Sequence, residues 1–179
     1  RELSTKYCLS STKTNKNYDS LKARIHLKNC DHRIIYIDIF PMVGVPRGKL
    51  CQRIFSKIAY INYRCYFIKK VKPNINYKYN IMKRIIVNIL KMILLPIPSE
   101  YFENNFKILS TKFTYKSSEL IYNICGSYGY REVIPKSWLG NPKFLEFEGY
   151  DFPVPQEWDK YLTHMYGDYM TPKKTNFIN

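Results

Sequence analysis

Near the amino terminus, apolar and polar residues alternate in a way that predicts two neighbouring β-strands. Residues 21–29 place apolar side chains at every second position, namely Leu21, Ala23, Ile25 and Leu27. Residues 33–40, with the sequence RIIYIDIF, are mostly β-branched or aromatic and stop at Pro41. This pattern predicts a second strand that is buried on both faces. The polar residues 4–20 predict a loop or a ragged strand edge.

After Pro46 the period changes and becomes helical as far as about Lys72. Apolar side chains three or four positions apart form one stripe, which consists of Leu50, Ile54, Ile58, Ile61, Cys65 and Ile68. A neighbouring stripe is basic and consists of Lys49, Arg53, Lys57 and Arg64. At about 100° per residue the two stripes separate, which predicts an amphipathic helix. Pro46 suits the first turn of that helix.

Residues 81–95, with the sequence IMKRIIVNILKMILL, predict a strongly apolar helix that ends before Pro96. Its polar strip is narrow and consists of Arg84, Asn88 and Lys91. The segment is too short to span a bilayer, which needs about 20 apolar residues. We interpret it first as a buried core helix, and alternatively as an interfacial helix with basic side chains at lipid headgroups. A further helix is predicted from Ser99 to about Lys116.

The last third of the chain predicts shorter elements. Residues 118–134 are aromatic and contain glycine, so loops and short strands are expected there. Residues 143–154 predict a β-hairpin that turns around Gly149. A final helix is predicted from Pro155 to about Tyr166, where Gly167 stops it. One face of this helix is predicted to carry Trp158, Tyr161, Leu162 and Met165.

Charge is distributed unevenly along the 179 residues. Lys and Arg number 29 and Asp and Glu number 14, giving a net charge of +15. Residues 1–116 hold 23 basic and 6 acidic side chains, whereas residues 117–179 hold 6 and 8. No acidic residue lies between Asp38 and Glu100. Since 45% of the residues are apolar, a disordered basic tail is excluded. The basic part predicts an anionic partner: nucleic acid, anionic lipid headgroups or a phosphorylated substrate.

Most of the cysteine and histidine residues predict structural roles. The cysteines are odd in number and widely spaced, which is typical of reduced thiols. His26, Cys30 and His32 match no standard zinc spacing and lack an evident fourth ligand. Cys125 has no identifiable partner histidine, so a buried thiol is predicted. His164 is predicted to face solvent or to occupy the last turn of the final helix.

Asp38 is the strongest single candidate for chemistry. It lies between Ile37 and Ile39 on a predicted interior strand, where a carboxylate is costly to bury unless a metal or a hydrogen-bond donor pairs with it. Nucleotidyltransferases present a carboxylate to Mg²⁺ on a strand of this kind. By itself the pattern is common, and a strand-end aspartate without function is the alternative.

Four motifs, in this order and spacing, resemble the LicD family of phosphocholine transferases and fukutin-related proteins. They are IDIFPM at 37–42, YREVIPKSW at 130–138, FEG at 147–149 and YLTHMYGDYMTP at 161–172. The resemblance implies an α/β (α+β) fold with a partial nucleotidyltransferase-like core. In that core the strands at 21–29 and 33–40 are followed by helices and a carboxyl-terminal hairpin plus helix. It also implies transfer of phosphocholine, or a similar phosphorylated group, from a CDP-linked donor to a hydroxyl of a cell-surface glycan.

The resemblance also implies roles for particular residues. Asp38 is expected to be catalytic as an outlying metal ligand, and a divalent metal, Mg²⁺, is the expected cofactor. Arg131 and Lys136 are expected to bind the donor's phosphates, because guanidinium and ammonium groups suit oxyanions. Asp168 is expected to bind substrate on the acceptor side.

The family carries an acidic cluster upstream of the motif at 37–42, and this chain has no counterpart, since Glu2 and Asp19 are the acids within residues 1–30. We therefore expect residues 1–179 to form a single LicD-like domain that lacks its amino-terminal metal-binding portion and is incomplete or inactive in isolation. The alternative function is a non-catalytic basic module that binds anionic lipid or polymer. A cytoplasmic location, peripheral on the inner membrane face, is expected, and a nucleic-acid partner is not.

Overall fold

The structure, a computed structural model, describes residues 6–14, 18, 20–30, 34–70 and 81–171. Within these ranges the chain forms three small antiparallel sheets and four α-helices. The predicted mixed α/β class is therefore confirmed. The nucleotidyltransferase-like core stays a prediction.

The first sheet contains β1 (Tyr7–Ser10), β2 (Ala23–Leu27) and β3 (Tyr36–Ile39), in the order β1-β2-β3. Both strands predicted in this region are confirmed within shorter bounds. The predicted burial of the second strand on both faces is wrong, because β3 lies at the edge of the sheet and Ile37 is 70% exposed. The β-branched composition indicated a strand but not its place in the sheet.

The second sheet contains β4 (Met42–Gly44), β5 (Leu120–Asn123) and β6 (Val133–Pro135), with β5 in the centre. Pro41 ends the first sheet, as predicted, but the chain at once enters β4, a strand too short for the sequence pattern to reveal. This sheet contributes Val43 and Tyr122 to the main core, where they meet the first helix.

The four helices are α1 (Lys49–Lys70), α2 (Ile81–Leu94), α3 (Ser99–Lys112) and α4 (Trp158–Tyr166). All four were predicted, with ends that shift by a few residues. The packed side of α1 is not its apolar stripe, and its buried side chains are Gln52, Phe55, Ser56, Ala59, Asn62 and Tyr66. Small and aromatic side chains occupy this side of α1. The Phe55 ring packs edge-on against the rings of Phe113 and Tyr122, with ring centroids 5.4 and 6.1 Å away.

Helix α2 corrects another prediction. Its interpretation as a buried core helix is wrong, because among its described side chains only Leu94 is buried. Leu94 packs with Tyr66 and Phe102 in a second hydrophobic cluster, which fastens the end of α2 to α1 and α3. Among the described residues no single helix is long and apolar enough to cross a membrane. One bent pair, Arg84–Leu94 with Ser99–Lys112 at 89°, meets that test by length and composition.

The predicted hairpin is confirmed as β7 (Lys143–Phe147) and β8 (Tyr150–Val154). Glu148 and Gly149 form its two-residue turn with φ of 51° and 78°, the left-handed backbone that tight hairpin turns need. Helix α4 buries Met165 on the predicted face. Gly167 then takes φ 74° and ends the helix, as predicted.

Candidate functional site

Two of the predicted site residues, Arg131 and Asp168, line the same pocket of about 370 Å³. The pocket lies between the 3-10 turn Gly129–Glu132 and the segment that follows α4. Its other lining residues are mostly aromatic or apolar: Tyr128, Met165, Tyr166, Tyr169 and Thr171. The two motifs at 130–138 and 161–172, separate in sequence, therefore form one site.

Hydrogen bonds running in both directions hold Arg131 against α4. Arg131 Nη1 donates to the carbonyl oxygen of Met165 at 3.2 Å, and His164 Nε2 donates to the carbonyl oxygen of Arg131 at 2.7 Å. The last carbonyls of a helix have no partner within the helix, so a guanidinium is a suitable donor there. His164 lies in the last turn of α4, as predicted. The centroid of its ring lies 5.5 Å from that of the Trp138 ring, and the two rings meet edge to face.

Asp168 reaches the pocket because Gly167 reverses the chain. The amide of Gly167 donates to the carbonyl oxygen of Thr163 at 2.8 Å, which closes the helix. Asp168 Oδ1 then accepts from the amide of Thr171 at 3.2 Å, so the carboxylate stabilises the turn that presents it. Tyr169 Oη donates to Asp159 Oδ1 at 2.5 Å and ties the segment back to α4. This hydrogen bond raises the pKa of Tyr169.

Tyrosine rings form the rim of the pocket. The rings of Tyr128 and Tyr166 meet edge to face, with centroids 5.9 Å apart, and both are exposed. Ring faces attract organic cations, and a nearby carboxylate such as Asp168 adds to that attraction. The Arg131 guanidinium suits phosphate oxygens. The pocket thus combines groups for a phosphate and groups for a cation. Tyr166 belongs to the motif at 161–172 and Tyr128 lies two residues before the motif at 130–138, but neither ring had a predicted role.

Glu132 supports this pocket from inside and was also not singled out from the sequence. It is 5% exposed, and its Oε1 accepts from the amide of Tyr128 at 3.1 Å. Burial raises the pKa of its carboxyl, while hydrogen bonds from Tyr128, Asn123 and Ser127 act in the opposite direction. Gly126 has no room for a side chain, because a Cβ there would collide with the Glu132 carboxylate. The feature of the sequence that could have indicated this buried carboxylate is the glycine at position 126.

Lys136 lies away from Arg131. Its Nζ donates to the carbonyl oxygens of Lys116 at 2.9 Å and Tyr115 at 3.3 Å, so it fastens the segment after α3. It lines a different cavity of about 680 Å³. The structure therefore does not bring the two predicted phosphate-binding cations together.

Asp38 lies in the first sheet, with cations on both of its oxygens. Its Oδ1 accepts from Arg24 Nε at 2.9 Å, and its Oδ2 from Lys22 Nζ at 2.5 Å. Arg24 faces Asp38 across the β2–β3 pair, and its guanidinium lies 4.3 Å from the centre of the Tyr36 ring. Lys22 lies 4.5 Å from the Phe40 ring.

The surroundings of Asp38 do not fit a divalent metal. A cation there would meet two like charges, and one carboxylate supplies few of the oxygen ligands that Mg²⁺ needs. Within the described ranges, no three His, Cys, Asp or Glu side chains group closely enough to hold a metal ion.

The structure also places the other cysteine and histidine residues that were considered for chemistry. Cys125 is buried, as predicted, and burial raises the pKa of its thiol to about 12. His26 has a structural role, since its Nε2 lies 2.8 Å from Ser10 Oγ across the β1–β2 pair. Cys30 is exposed, and His32 lies outside the described residues.

Comparison with known proteins supports the resemblance. The chain is similar to the lipopolysaccharide cholinephosphotransferase LicD of Haemophilus influenzae, with 28% identity over 139 residues. The alignment covers 76% of this chain and 50% of that protein, so the chain spans about half the length of its curated relative. No family model matches, and no solved structure matches. This similarity supports a distant relationship between the chain and the LicD family of transferases.

Proposed function

We propose that this chain supplies the donor-binding part of a LicD-type transferase. The reaction moves phosphocholine, or a similar phosphorylated group, from a CDP-linked donor to a hydroxyl of a cell-surface glycan. The observation that carries the proposal is the pocket that places Arg131 and Asp168 together among tyrosine rings. The relationship to a cholinephosphotransferase supports it independently.

In this proposal the two charged residues hold opposite ends of the transferred group. Arg131 binds the donor's phosphate, since its guanidinium has five N–H donors and Met165 takes only one of those bonds. Asp168 with the rings of Tyr128 and Tyr166 binds the positively charged choline. The proposal thus assigns Asp168 to the donor, whereas the family resemblance implies a role on the acceptor side.

The chemistry is a phosphoryl transfer. The acceptor's hydroxyl oxygen bonds to the phosphorus that carries choline, the bond from that phosphorus to the CMP oxygen breaks, and CMP leaves. The hydroxyl proton passes to solvent or to a base. Cations offset the charge on the phosphates during such a step, which is the part we assign to Arg131. The family resemblance implies Mg²⁺ with Asp38 as an outlying ligand, but Lys22 and Arg24 bond to both oxygens of this carboxylate and would have to be displaced first.

Calorimetric titration of the chain with CDP-choline tests the proposal. Arg131→Gln is expected to weaken binding roughly 10- to 100-fold, because a hydrogen bond to a charged group contributes about 1.5–3 kcal/mol. Arg131→Lys keeps the charge but loses the fork and should fall in between. Lys107→Gln, the same loss of charge on an exposed part of α3, is the matched control and should bind normally.

Two further titrations separate the parts of the proposal. CDP-glycerol, which lacks the quaternary ammonium, should bind several-fold more weakly than CDP-choline if the rings and Asp168 hold a cation. Repeating the titration with Mg²⁺ and with EDTA shows whether a metal contributes to donor binding. Equal binding of CDP-choline by the wild type and Arg131→Gln would refute the assignment of the pocket.

The non-catalytic alternative, a basic module for anionic lipid or polymer, rests on a different observation. The residues between Asp38 and Glu100 carry no acidic side chain, and α1 and α2 both expose apolar residues there. A chain that binds anionic vesicles but no CDP-linked donor would favour this alternative.

A further inference from the structure

We propose that α2, assisted by the basic stripe of α1, is a docking surface for an anionic lipid bilayer. In this arrangement α2 lies in the plane of the interface with its apolar face among the upper acyl chains. The proposal goes beyond the transferase function and does not depend on it, because the surface lies on elements that do not line the Arg131 pocket.

The outward face of α2 is apolar along its whole length. At 100° per residue, one arc of about 120° contains Ile81, Met82, Ile85, Ile89, Met92 and Ile93. Their side chains are between 51% and 75% exposed. Contiguous apolar surface of this extent on a folded protein marks an interaction site. Single exposed apolar residues are ordinary and would need no explanation.

The carboxyl-terminal end of α2 is anchored by a side chain on the opposite side of the helix from the apolar arc. Leu94 is 8% exposed and packs against Tyr66 and Phe102. Lys69 Nζ donates to the carbonyl oxygens of Leu94 at 3.0 Å and Leu95 at 3.2 Å. These bonds satisfy the end of the helix and hold it against α1.

Helix α1 adds positive charge. Opposite its buried side, the exposed half of α1 carries two adjacent stripes. One contains Lys49, Arg53, Lys57 and Arg64, and the other contains Leu50, Ile54, Ile58 and Ile61. Lys and Arg near a membrane surface are attracted by anionic headgroups, and no acidic residue of this segment opposes that attraction.

Length and charge favour a bilayer surface over other occupants. A 14-residue helix is about 21 Å long, short of the roughly 30 Å hydrocarbon core, so α2 fits along the interface and not across it. Arg84 and Asn88 edge the apolar arc, as on interfacial helices. A second copy of the chain would bring the same acid-free surface against itself, and like charges would repel.

Vesicle flotation tests the proposal. The chain is expected to bind vesicles of phosphatidylcholine with phosphatidylglycerol, and to bind pure phosphatidylcholine at least ten-fold more weakly. Raising the salt concentration should weaken binding to the anionic vesicles. The double variant I85S/I89S should lose at least ten-fold in vesicle affinity. Ile108→Ser, an exposed isoleucine on α3, is the matched control and should bind as the wild type does.

A second variant keeps the test independent of folding defects. Ile89→Trp retains apolar area and places an indole in the interface, which tryptophan favours. Its emission, after subtraction of the wild-type spectrum, should shift to the blue with anionic vesicles. The proposal would be overturned if the wild type failed to bind anionic vesicles or if the Ile89→Trp variant showed no blue shift. Self-association of the chain through α2, measured by sedimentation, would also overturn it. Loss of CDP-choline binding alone would contradict the proposed function and leave this surface intact.

Discussion

The segment between Asp38 and Glu100 and the segment after residue 117 use their large side chains in opposite ways. In the first, α1 and α2 pack through one narrow side and leave most of their isoleucine and leucine side chains exposed. In the second, Ile121, Tyr122 and Ile134 are fully buried, and polar groups fix the turns around the pocket. The hairpin β7–β8 is the exception, since its side chains are nearly all exposed.

The two proposals assign a different kind of binding surface to each segment. The later segment builds a small concave site from hydrogen-bonded turns, which suits a small charged ligand. The earlier segment presents convex helix faces that are apolar and basic, which suits an extended anionic surface. The uneven charge of the sequence therefore corresponds to a difference in architecture.

The largest effect is expected from two neighbouring substitutions in α1. Phe55→Ala removes a buried ring that contacts Phe113 and Tyr122, and should lower the free energy of unfolding by about 3–5 kcal/mol. Ile54→Ala, one residue away on the exposed stripe, should change it by less than about 0.5 kcal/mol. Urea denaturation measures both. Comparable losses for the two variants would show that the apolar stripe is packed in solution.

A smaller effect is expected at the turn that presents Asp168. Gly167 has φ 74° and ψ −131°, a conformation nearly restricted to glycine, so Gly167→Ala should cost about 1–3 kcal/mol. It should also weaken CDP-choline binding, because Asp168 is displaced.

Gly48→Ala is the matched control for this turn. Gly48 also has a positive φ, 87°, with open space around it, but it lies just before α1. It should lose stability without losing affinity for CDP-choline. If both glycine variants lose affinity equally, the loss reflects general destabilisation and the role of Gly167 is refuted.

The sequence predicted the helices and the hairpin because these elements carry local signals. Pro46 and Pro96 mark helix ends, and Gly149 marks the turn between β7 and β8. It could not predict which stripe of α1 faces the core. Periodicity defines stripes, but Phe55 and Tyr66 are the buried residues because side chains of the second sheet and of α3 pack against them.

The candidate site was predictable in part for a similar reason. Motifs named Arg131 and Asp168, and the structure places both in one pocket. Lys136 has the same charge as Arg131, yet its ammonium is taken by the carbonyl oxygens of Tyr115 and Lys116. Which partner a cation finds depends on the folded chain, and no spacing in the sequence reveals it.

The smallest effect expected is a change in how stability depends on pH, and it concerns the buried acid of the later segment. Burial raises the pKa of Glu132 above its ordinary 4.5, so the folded state holds this proton more tightly than the unfolded state does. The resulting stabilisation is full below pH 4.5 and is lost as the pH rises through the raised pKa. Glu132→Gln removes this titration, so in urea denaturation the wild type should lose stability relative to the variant as the pH rises above 4.5. If the stability of Glu132→Gln depended on pH in the same way as that of the wild type, the assignment would be contradicted.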